Sequence, residues 1–178
     1  MSGACWPQPL ITAAQLARRV AALGAACAAQ LAAEREPLAL IILDGAAVFA
    51  ADLLRHCPLP QLTVASLRVA SYGQSTAPQG VPRVVGELPP LRGRTVLVID
   101  DILDTGLTLA CVQRALREAG AARLVTCVLL DKPARRHPAG LARADLVGFT
   151  IPPRFVVGYG LDHGGRWRHL PYLGALPA

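Results

Sequence analysis

Three carboxylates follow one apolar run within the segment VLVIDDILDTGLTLA, at residues 96–110. The run TVLVID predicts a strand that is covered on both faces, and the residues after TG predict a helix. Asp100, Asp101 and Asp104 are therefore expected in the bend at the carboxyl end of that strand, where open parallel sheets bind their ligands. A helix cap explains one aspartate, but it does not explain three.

The residues directly after the aspartates are suited to binding an anion. TGLT (105–108) supplies small or hydroxyl-bearing side chains and the free N–H groups of a helix start, which together can hold a phosphate dianion. Carboxylates beside a phosphate are useful if they face sugar hydroxyls, a metal ion or a proton to be removed. A phosphorylated sugar satisfies all three conditions, so the sequence predicts a site for one.

Strands and helices alternate around this bend, which is typical of a parallel sheet with helices on its faces. The segment at 71–82 is rich in Gly, Pro, Ser and Gln and is predicted to be a loop. Short strand-like pieces follow in the Pro- and Gly-rich C-terminal part. The apolar patterns predict strands at 38–43, 62–70, 95–100, 124–131, 146–149 and 155–158, and helices at 12–35, 45–57 and 107–120.

Length and composition narrow the class of protein. With 178 residues, 53% of them hydrophobic, the chain is expected to form one globular domain. Its apolar stretches are strand-length and no signal peptide is recognisable, so no membrane association and a cytoplasmic location are expected. Five cysteines without a CxxC pair indicate reduced thiols. The net charge of +6 permits a nucleic-acid partner, but an anionic small substrate explains it equally well.

Two acidic residues followed by ILDTGLT after a buried strand resemble the phosphoribosyl-pyrophosphate signature of type I phosphoribosyltransferases. From about residue 38 to 176 the chain resembles the hypoxanthine (hypoxanthine-guanine) enzymes of that superfamily, through ILDGAAVFAADLL, SYGQST, DKPARR, VGFTIPPRFVVGYGLD and RWRHLPYLG. The resemblance implies an α/β fold of the type I phosphoribosyltransferase kind, a twisted, mostly parallel sheet flanked by helices with a small C-terminal hood. Within one domain (1–178) it implies a core at about 38–131, a flexible loop at about 70–83 and a purine-binding hood at about 132–178.

The reaction that this resemblance implies transfers the 5-phosphoribosyl group from phosphoribosyl pyrophosphate to hypoxanthine, and to guanine, with magnesium as cofactor. Asp104 is the implied general base for the N7 proton. Asp100 and Asp101 are implied to hold the ribose hydroxyls and magnesium. The 5′-phosphate is assigned to Thr105, Gly106, Leu107 and Thr108. Relatives also imply a homodimer or homotetramer.

Further roles follow from the same resemblance for the purine. Lys132, the single lysine among 18 basic residues, matches the donor to the purine 6-oxo group, which a compact ammonium reaches more easily than a guanidinium fork. Phe155 is implied to stack on the purine, and Val156 to contact its edge through the backbone. Asp162 is implied to lie at the purine pocket, beside a second magnesium. Ser71 and Tyr72 are assigned to a mobile flap that excludes water.

Pyrophosphate is assigned by resemblance to Asp44, Gly45 and Arg168. Asp44 departs from the family, since many relatives carry a basic or neutral residue there. The family contact is made largely by backbone, and the preceding peptide is often cis. Asp44 can therefore point away or help to bind magnesium, and the sequence does not choose between these.

Two alternatives to the enzyme remain at this stage. The first is an RNA-binding regulator on the same fold, which the pI of about 9.5 permits and which requires a clustered basic face. The second is a catalytically weak, nucleotide-binding paralogue, which Asp44 keeps open. Preference among hypoxanthine, guanine and xanthine is also open, because all three carry the 6-oxo group.

Overall fold

The computed structural model describes residues 6–71 and 82–176, without the side chain of Ser71. Tyr72 and nearly all of the loop predicted at 71–82 lie outside these residues, so the flap and its two assigned residues stay predictions.

Most of the described residues belong to strands and helices that alternate along the chain. The strands are β1 (Gln8–Ile11), β2 (Leu38–Leu43), β3 (Thr63–Ser71), β4 (Pro82–Val85), β5 (Thr95–Leu103), β6 (Arg123–Asp131), β7 (Leu146–Thr150), β8 (Val156–Val157) and β9 (Leu173–Ala175). The helices are α1 (Ala13–Leu31), α2 (Ala47–Arg55) and α3 (Leu107–Glu118), with a short 3-10 helix at Pro133–Arg135.

The larger sheet that the described residues form has six strands in the order β4-β3-β2-β5-β6-β7. Every pairing in it is parallel except that of β3 with β4. The predicted α/β class and mostly parallel sheet are therefore confirmed. Strand β5 lies between β2 and β6, so its end occupies the middle of the carboxyl edge.

The core lies on both faces of this sheet. Along β5, Leu97 and Ile99 belong to the cluster beneath α1 and α2, whereas Val96 and Val98 belong to the cluster beneath α3. This two-residue alternation is what strand geometry requires when helices cover both faces. The continuous apolar runs were the signal for it in the sequence.

Helix α1 begins as its sequence predicts. Thr12 and Gln15 form a capping box, in which each side chain bonds the backbone N–H of the other residue. The predicted stripe of Leu16, Val20, Leu23, Cys27 and Leu31 is buried. The helix ends at Leu31, four residues before the predicted boundary.

Strand β5 is longer than predicted. It pairs with β6 as far as Leu103, opposite Asp131, instead of ending at residue 100. Asp100 and Asp101 thus lie in the paired part of β5, and only Asp104 of the three aspartates follows in the bend. Backbone pairing continues through the charged residues because backbone N–H and C=O groups, not side chains, form the hydrogen bonds between strands.

A second sheet of three strands has the order β1-β9-β8. The purine-binding hood predicted at about 132–178 stays a prediction, and two pairings cross its bounds. Strand β7, inside that range, pairs with β6 in the main sheet, and β1 from the N-terminal region pairs with β9 in the second sheet. Strands β1, β4 and β9 were missed because they are short and carry Pro or Gly, which leaves no usable period.

Two expectations from composition can be compared with the described residues. Among them, no helix combines the length and apolar character needed to cross a membrane. Cys27, Cys57 and Cys127 are buried free thiols, and Cys111 is a half-buried one. Burial raises the pKa of the Cys57 thiol to about 11, which agrees with an unreactive packing role.

A polar contact joins the C-terminal segment to helix α2. The buried Tyr159 hydroxyl donates to Asp52 Oδ2 in α2 at 2.6 Å. Burial, followed by the contact with the Asp52 carboxylate, raises the pKa of Tyr159 above its ordinary value.

Tyr159→Phe is expected to lower the free energy of unfolding by about 1–2 kcal/mol at pH 7, since one charge-assisted hydrogen bond is lost. Urea denaturation measures this, with Tyr172→Phe, which removes a bond to the Pro7 carbonyl, as the control. A raised folded-state pKa means that deprotonation above pH 10 favours the unfolded wild type, so the difference between wild type and variant shrinks there. A difference that stays constant into that range contradicts the buried contact.

Candidate active site

The carboxyl ends of β2 and β5 and the start of α3 enclose a cavity of about 250 Å³. Predicted residues line most of it. They are Gly45, Asp100, Asp101, Asp104, Thr105, Gly106 and Thr108. Apolar residues of β2, β3, β5 and α3 complete the wall. The predicted sugar-phosphate residues are thus brought together, apart from Leu107, which is not in the lining.

Asp100 and Asp101 form a carboxylate pair in which Asp100 is buried and Asp101 is half-buried. Asp100 is 6% exposed, and its Oδ1 accepts a hydrogen bond from the Asp101 N–H at 3.0 Å. Burial, and then the neighbouring charge of Asp101, raise the pKa of Asp100 well above its usual range. Burial also raises the pKa of Asp101, although the contact with Asp100 and the Arg168 guanidinium oppose the shift. Two like charges side by side favour a cation or donor groups in front of them.

The residues fit a magnesium ion that a substrate helps to hold. Among residues 6–71 and 82–176, no group of three or more His, Cys, Asp or Glu side chains is arranged to bind a metal. Magnesium in phosphate enzymes is commonly bound by one or two carboxylates together with substrate phosphates and water. The Asp100–Asp101 pair provides that smaller set.

Gly106 sets the shape of the phosphate loop. It precedes α3 with φ of +81°, a conformation that glycine adopts without strain, and no side chain caps the helix start. A Cβ atom at this position would lie 2.5 Å from the Leu141 carbonyl oxygen and 2.7 Å from its nitrogen. Glycine is therefore required by the packing behind the loop as well as by the approach of a ligand that the sequence suggested.

A second cavity, of about 200 Å³, adjoins the first. The predicted purine residues Lys132, Phe155, Val156 and Asp162 line it, together with Asp101, Ile102, Asp104 and Leu161. Because Asp101, Ile102 and Asp104 line both cavities, the two are neighbouring parts of one site. Asp104 lies at their junction, where a general base for a reaction between two bound groups has to be.

Lys132 is a buried cation directly after β6. Lys132 is 7% exposed, and its backbone N–H donates to the Leu103 carbonyl at 3.0 Å. Burial lowers the pKa of Lys132, and the Asp104 carboxylate opposes that shift. A buried ammonium that faces a cavity is suited to a neutral or partly negative oxygen on a ligand.

Phe155 is 53% exposed, so ordinary core packing does not explain it. Its ring meets the edge of His163 at a centroid distance of 5.3 Å, and His163 in turn stacks on Trp167 at 6.1 Å. Phe155 also lines the second cavity. A flat aromatic ligand gains stacking energy at such a surface.

Asp162 and Arg168 bind each other. Arg168 Nη2 lies 2.8 Å from Asp162 Oδ1, and Arg168 Nη1 donates to the Gly160 carbonyl at 2.6 Å. Gly45 packs against the carboxylate pair, since a Cβ on it would lie 1.8 Å from Asp101 Oδ2. The Arg168 guanidinium lies close enough to lower the pKa of Asp101 against the effect of burial, and an anion can share it.

Asp44 does not enter the lining of either cavity. The peptide between Leu43 and Asp44 is cis, and the Asp44 carboxylate pairs with Arg68 at 3.0 Å. Of the two possibilities left by the sequence, this geometry supports the one in which the side chain points away. The ion pair also neutralises a charge that otherwise repels a pyrophosphate.

Sequence reasoning missed two arginines at the site. Arg135 Nε donates to Asp104 Oδ1 at 3.1 Å, so the carboxylate at the junction is held by a cation. Arg136 donates to the Leu103 carbonyl at 2.8 Å and pairs with Asp131. The segment DKPARR was recognised, but nothing in its spacing indicates which side chains turn back onto the bend.

An acidic phosphate-binding loop that shares a wall with a buried-lysine pocket, at the carboxyl edge of a parallel sheet, defines an enzyme that works on a phosphorylated sugar and a planar group. The chain belongs to the phosphoribosyl transferase family, whose domain model matches residues 12–163. Hypoxanthine-guanine phosphoribosyltransferase of Bacillus subtilis (strain 168) is 40% identical over 94% of this chain and 91% of its own. The enzyme of the same name from Mycobacterium avium is 41% identical over 94% of this chain and 84% of its own.

Solved structures give the same result. The crystal structure of a hypoxanthine phosphoribosyltransferase from Staphylococcus aureus matches with a TM-score of 0.87 and 33% identity. The match covers 96% of this chain and 91% of that one. The predicted type I phosphoribosyltransferase fold is thereby confirmed.

Gly106→Ala is expected to destabilise the protein more than Gly93→Ala, which is the matched control. Gly93 also has a positive φ, of +75°, but nothing lies within 4 Å of a Cβ built on it. Both variants carry the cost of a left-handed alanine, and Gly106→Ala adds about 1–3 kcal/mol from overpacking against Leu141. Thermal and urea unfolding compare the two, and equal losses contradict the close packing behind the loop.

Proposed function

We propose that the protein is a magnesium-dependent purine salvage enzyme of the cytoplasm that transfers the 5-phosphoribosyl group to hypoxanthine and guanine. The observation that carries the proposal is the shared wall of the two cavities. One cavity has carboxylates beside a helix start with free amides, and the other has a buried ammonium beside an exposed aromatic ring. The named relatives support the choice of 6-oxopurines.

The sugar substrate is assigned to the larger cavity. Thr105, Gly106, Leu107 and Thr108 bind the 5′-phosphate through backbone N–H groups and hydroxyls. Asp100 and Asp101 accept hydrogen bonds from the ribose hydroxyls. Arg168 binds the pyrophosphate together with the Gly45 backbone, and Asp44 contributes through its main chain alone.

The purine is assigned to the smaller cavity. Lys132 donates to the 6-oxo group, Phe155 stacks on the ring, and the Val156 backbone meets the ring edge. Asp162, which lines this cavity, holds Arg168 through an ion pair at 2.8 Å. This arrangement brings the ring nitrogen next to C1 of the sugar, with Asp104 at the junction.

In the reaction, purine N9 forms a bond to C1 of the sugar as the bond from C1 to the pyrophosphate oxygen breaks. The proton on N7 passes to Asp104, which its ion pair with Arg135 holds in place. Bound magnesium supplies positive charge to the leaving pyrophosphate, and the Asp100–Asp101 pair with Asp162 nearby provides its protein ligands. The flap residues Ser71 and Tyr72 are proposed to close over the centre and exclude water. A homodimer or homotetramer is proposed from the family alone.

The assay for this function measures pyrophosphate release from phosphoribosyl pyrophosphate and magnesium with hypoxanthine, guanine, xanthine, adenine or uracil. Turnover is expected with hypoxanthine and guanine. Asp104→Asn is expected to lower kcat by about 10²- to 10⁴-fold, the usual contribution of a general base. Glu118→Gln, an exposed change at the end of α3, is the control and retains activity. If none of the five bases supports turnover, the proposal is overturned and RNA binding is tested next.

Lys132→Met is expected to raise KM for hypoxanthine about 10- to 100-fold, since a charge-assisted hydrogen bond to the 6-oxo group is lost. The KM for phosphoribosyl pyrophosphate stays close to the wild-type value, because the lysine lies outside that cavity's lining. Lys132→Arg is expected to restore little, since a guanidinium fork does not fit where a buried ammonium does. Equal changes in both KM values contradict the assigned role.

A further inference from the structure

The segment Arg136–Leu141 lies behind the phosphate loop and binds its backbone from that side. We call this segment the clamp. Its contacts fall on four consecutive carbonyl oxygens of the bend. The Leu103 and Asp104 oxygens accept from Arg136 Nη1, the first at 2.8 Å. The Thr105 oxygen accepts from the His137 N–H and the Gly106 oxygen from the Leu141 N–H, each at 3.0 Å.

These contacts also determine where the N–H groups of the loop point. In a trans peptide the C=O of one residue and the N–H of the next are directed oppositely. Carbonyls held by the clamp, that of Leu103 together with the Lys132 N–H, therefore turn the N–H groups of Asp104, Thr105 and Gly106 to the other side. That side is the cavity, whose lining includes Asp104, Thr105 and Gly106 but no residue of the clamp. The Leu107 N–H donates to Thr105 Oγ1 at 3.4 Å.

The clamp and the loop fit each other without room for a side chain. A Cβ on Gly140 would lie 2.2 Å from the Thr105 carbonyl oxygen, and one on Gly106 would lie 2.5 Å from that of Leu141. Two glycines thus face each other across the contact. Their packing holds the loop at a fixed distance from the clamp.

Arg136 is the residue of the clamp whose contacts only a guanidinium can make. It donates to four acceptors, namely the carbonyls of Leu103 and Asp104 through Nη1, the carbonyl of Ala142 through Nε at 3.0 Å, and the Asp131 carboxylate through Nη2. A lysine has one ammonium and cannot span these positions. The Asp131 partner balances the charge, since both side chains are mostly buried.

We infer that the clamp, with Arg136 as its positioning residue, holds the amide groups of the phosphate loop in the orientation that binds the 5′-phosphate of the sugar substrate. The inference deepens the proposed function and rests on it for the identity of the ligand. A preformed cradle avoids the cost of reorienting peptides when the anion arrives. Arg136 itself touches neither substrate.

The test compares Arg136→Met, Arg136→Lys and Gly140→Ala with wild type, using the exposed Arg143→Met as a matched control. The affinity for ribose 5-phosphate is measured by calorimetry, and KM is measured separately for phosphoribosyl pyrophosphate and hypoxanthine. Arg136→Met is expected to weaken ribose 5-phosphate binding and raise KM for phosphoribosyl pyrophosphate about 10- to 100-fold, as misplaced binding groups do. The KM for hypoxanthine and all constants of Arg143→Met stay near wild type.

Arg136→Lys is expected to recover little, and Gly140→Ala to show the same selective loss by pushing the loop from behind. If Arg136→Met does not fold, Gly140→Ala decides the question. Folded variants with lower melting temperature but unchanged phosphate affinity overturn the inference, as do equal losses for both substrates. If wild type binds ribose 5-phosphate and the variants do not, yet no base supports turnover, the clamp stands and the proposed function fails.

Discussion

The site depends on the pairing of β5 with a parallel strand on each side. Hydrogen bonds to β2 and β6 fix where β5 lies, and its pairing with β6 continues to Leu103. The last residues of β5 are therefore rigid although they carry two carboxylates. The strand pairing that builds the core also fixes the positions of Asp100 and Asp101. It therefore fixes the position at which the following loop begins.

This placement has an electrostatic cost that the substrates can offset. Two carboxylates lie side by side, and a buried ammonium lies on the far side of the junction. Burial opposes the charged form of each group, so ligands that supply the missing partners stabilise the site when they bind. In the proposed function, sugar hydroxyls and magnesium would be the partners of the carboxylates, and a purine oxygen would be the partner of Lys132. Binding and catalysis would then use groups that folding alone does not favour.

The sequence predicted the parts of the fold that have a strong period. Strands β2, β5 and β6 and the stripe of α1 were readable because continuous apolar runs and a 3.6-residue repeat leave few alternatives. Strands β1 and β9 were not readable, since their residues are few and their pairing joins the two ends of the described chain. Such pairing depends on tertiary contacts, which a local pattern does not contain.

The sequence predicted which residues line the candidate site, but it did not predict the contacts that hold them in place. The acidic pair, TGLT and Lys132 have types and spacing that point to chemistry. Arg135 and Arg136 carry no such signal, because their function lies in which carbonyl or carboxylate they reach after the chain turns back. The pairing of Asp44 with Arg68 is of the same kind, since 24 residues separate its members.

The proposed function requires that the two adjoining cavities are the phosphate half and the base half of one nucleotide site. The decisive measurement is a crystal structure of the protein with inosine 5′-monophosphate. We expect the phosphate on the backbone of Thr105–Thr108 and the 6-oxo group within hydrogen-bond distance of Lys132 Nζ, with the ring against Phe155. A nucleotide bound in the reverse orientation, or outside these cavities, would contradict it.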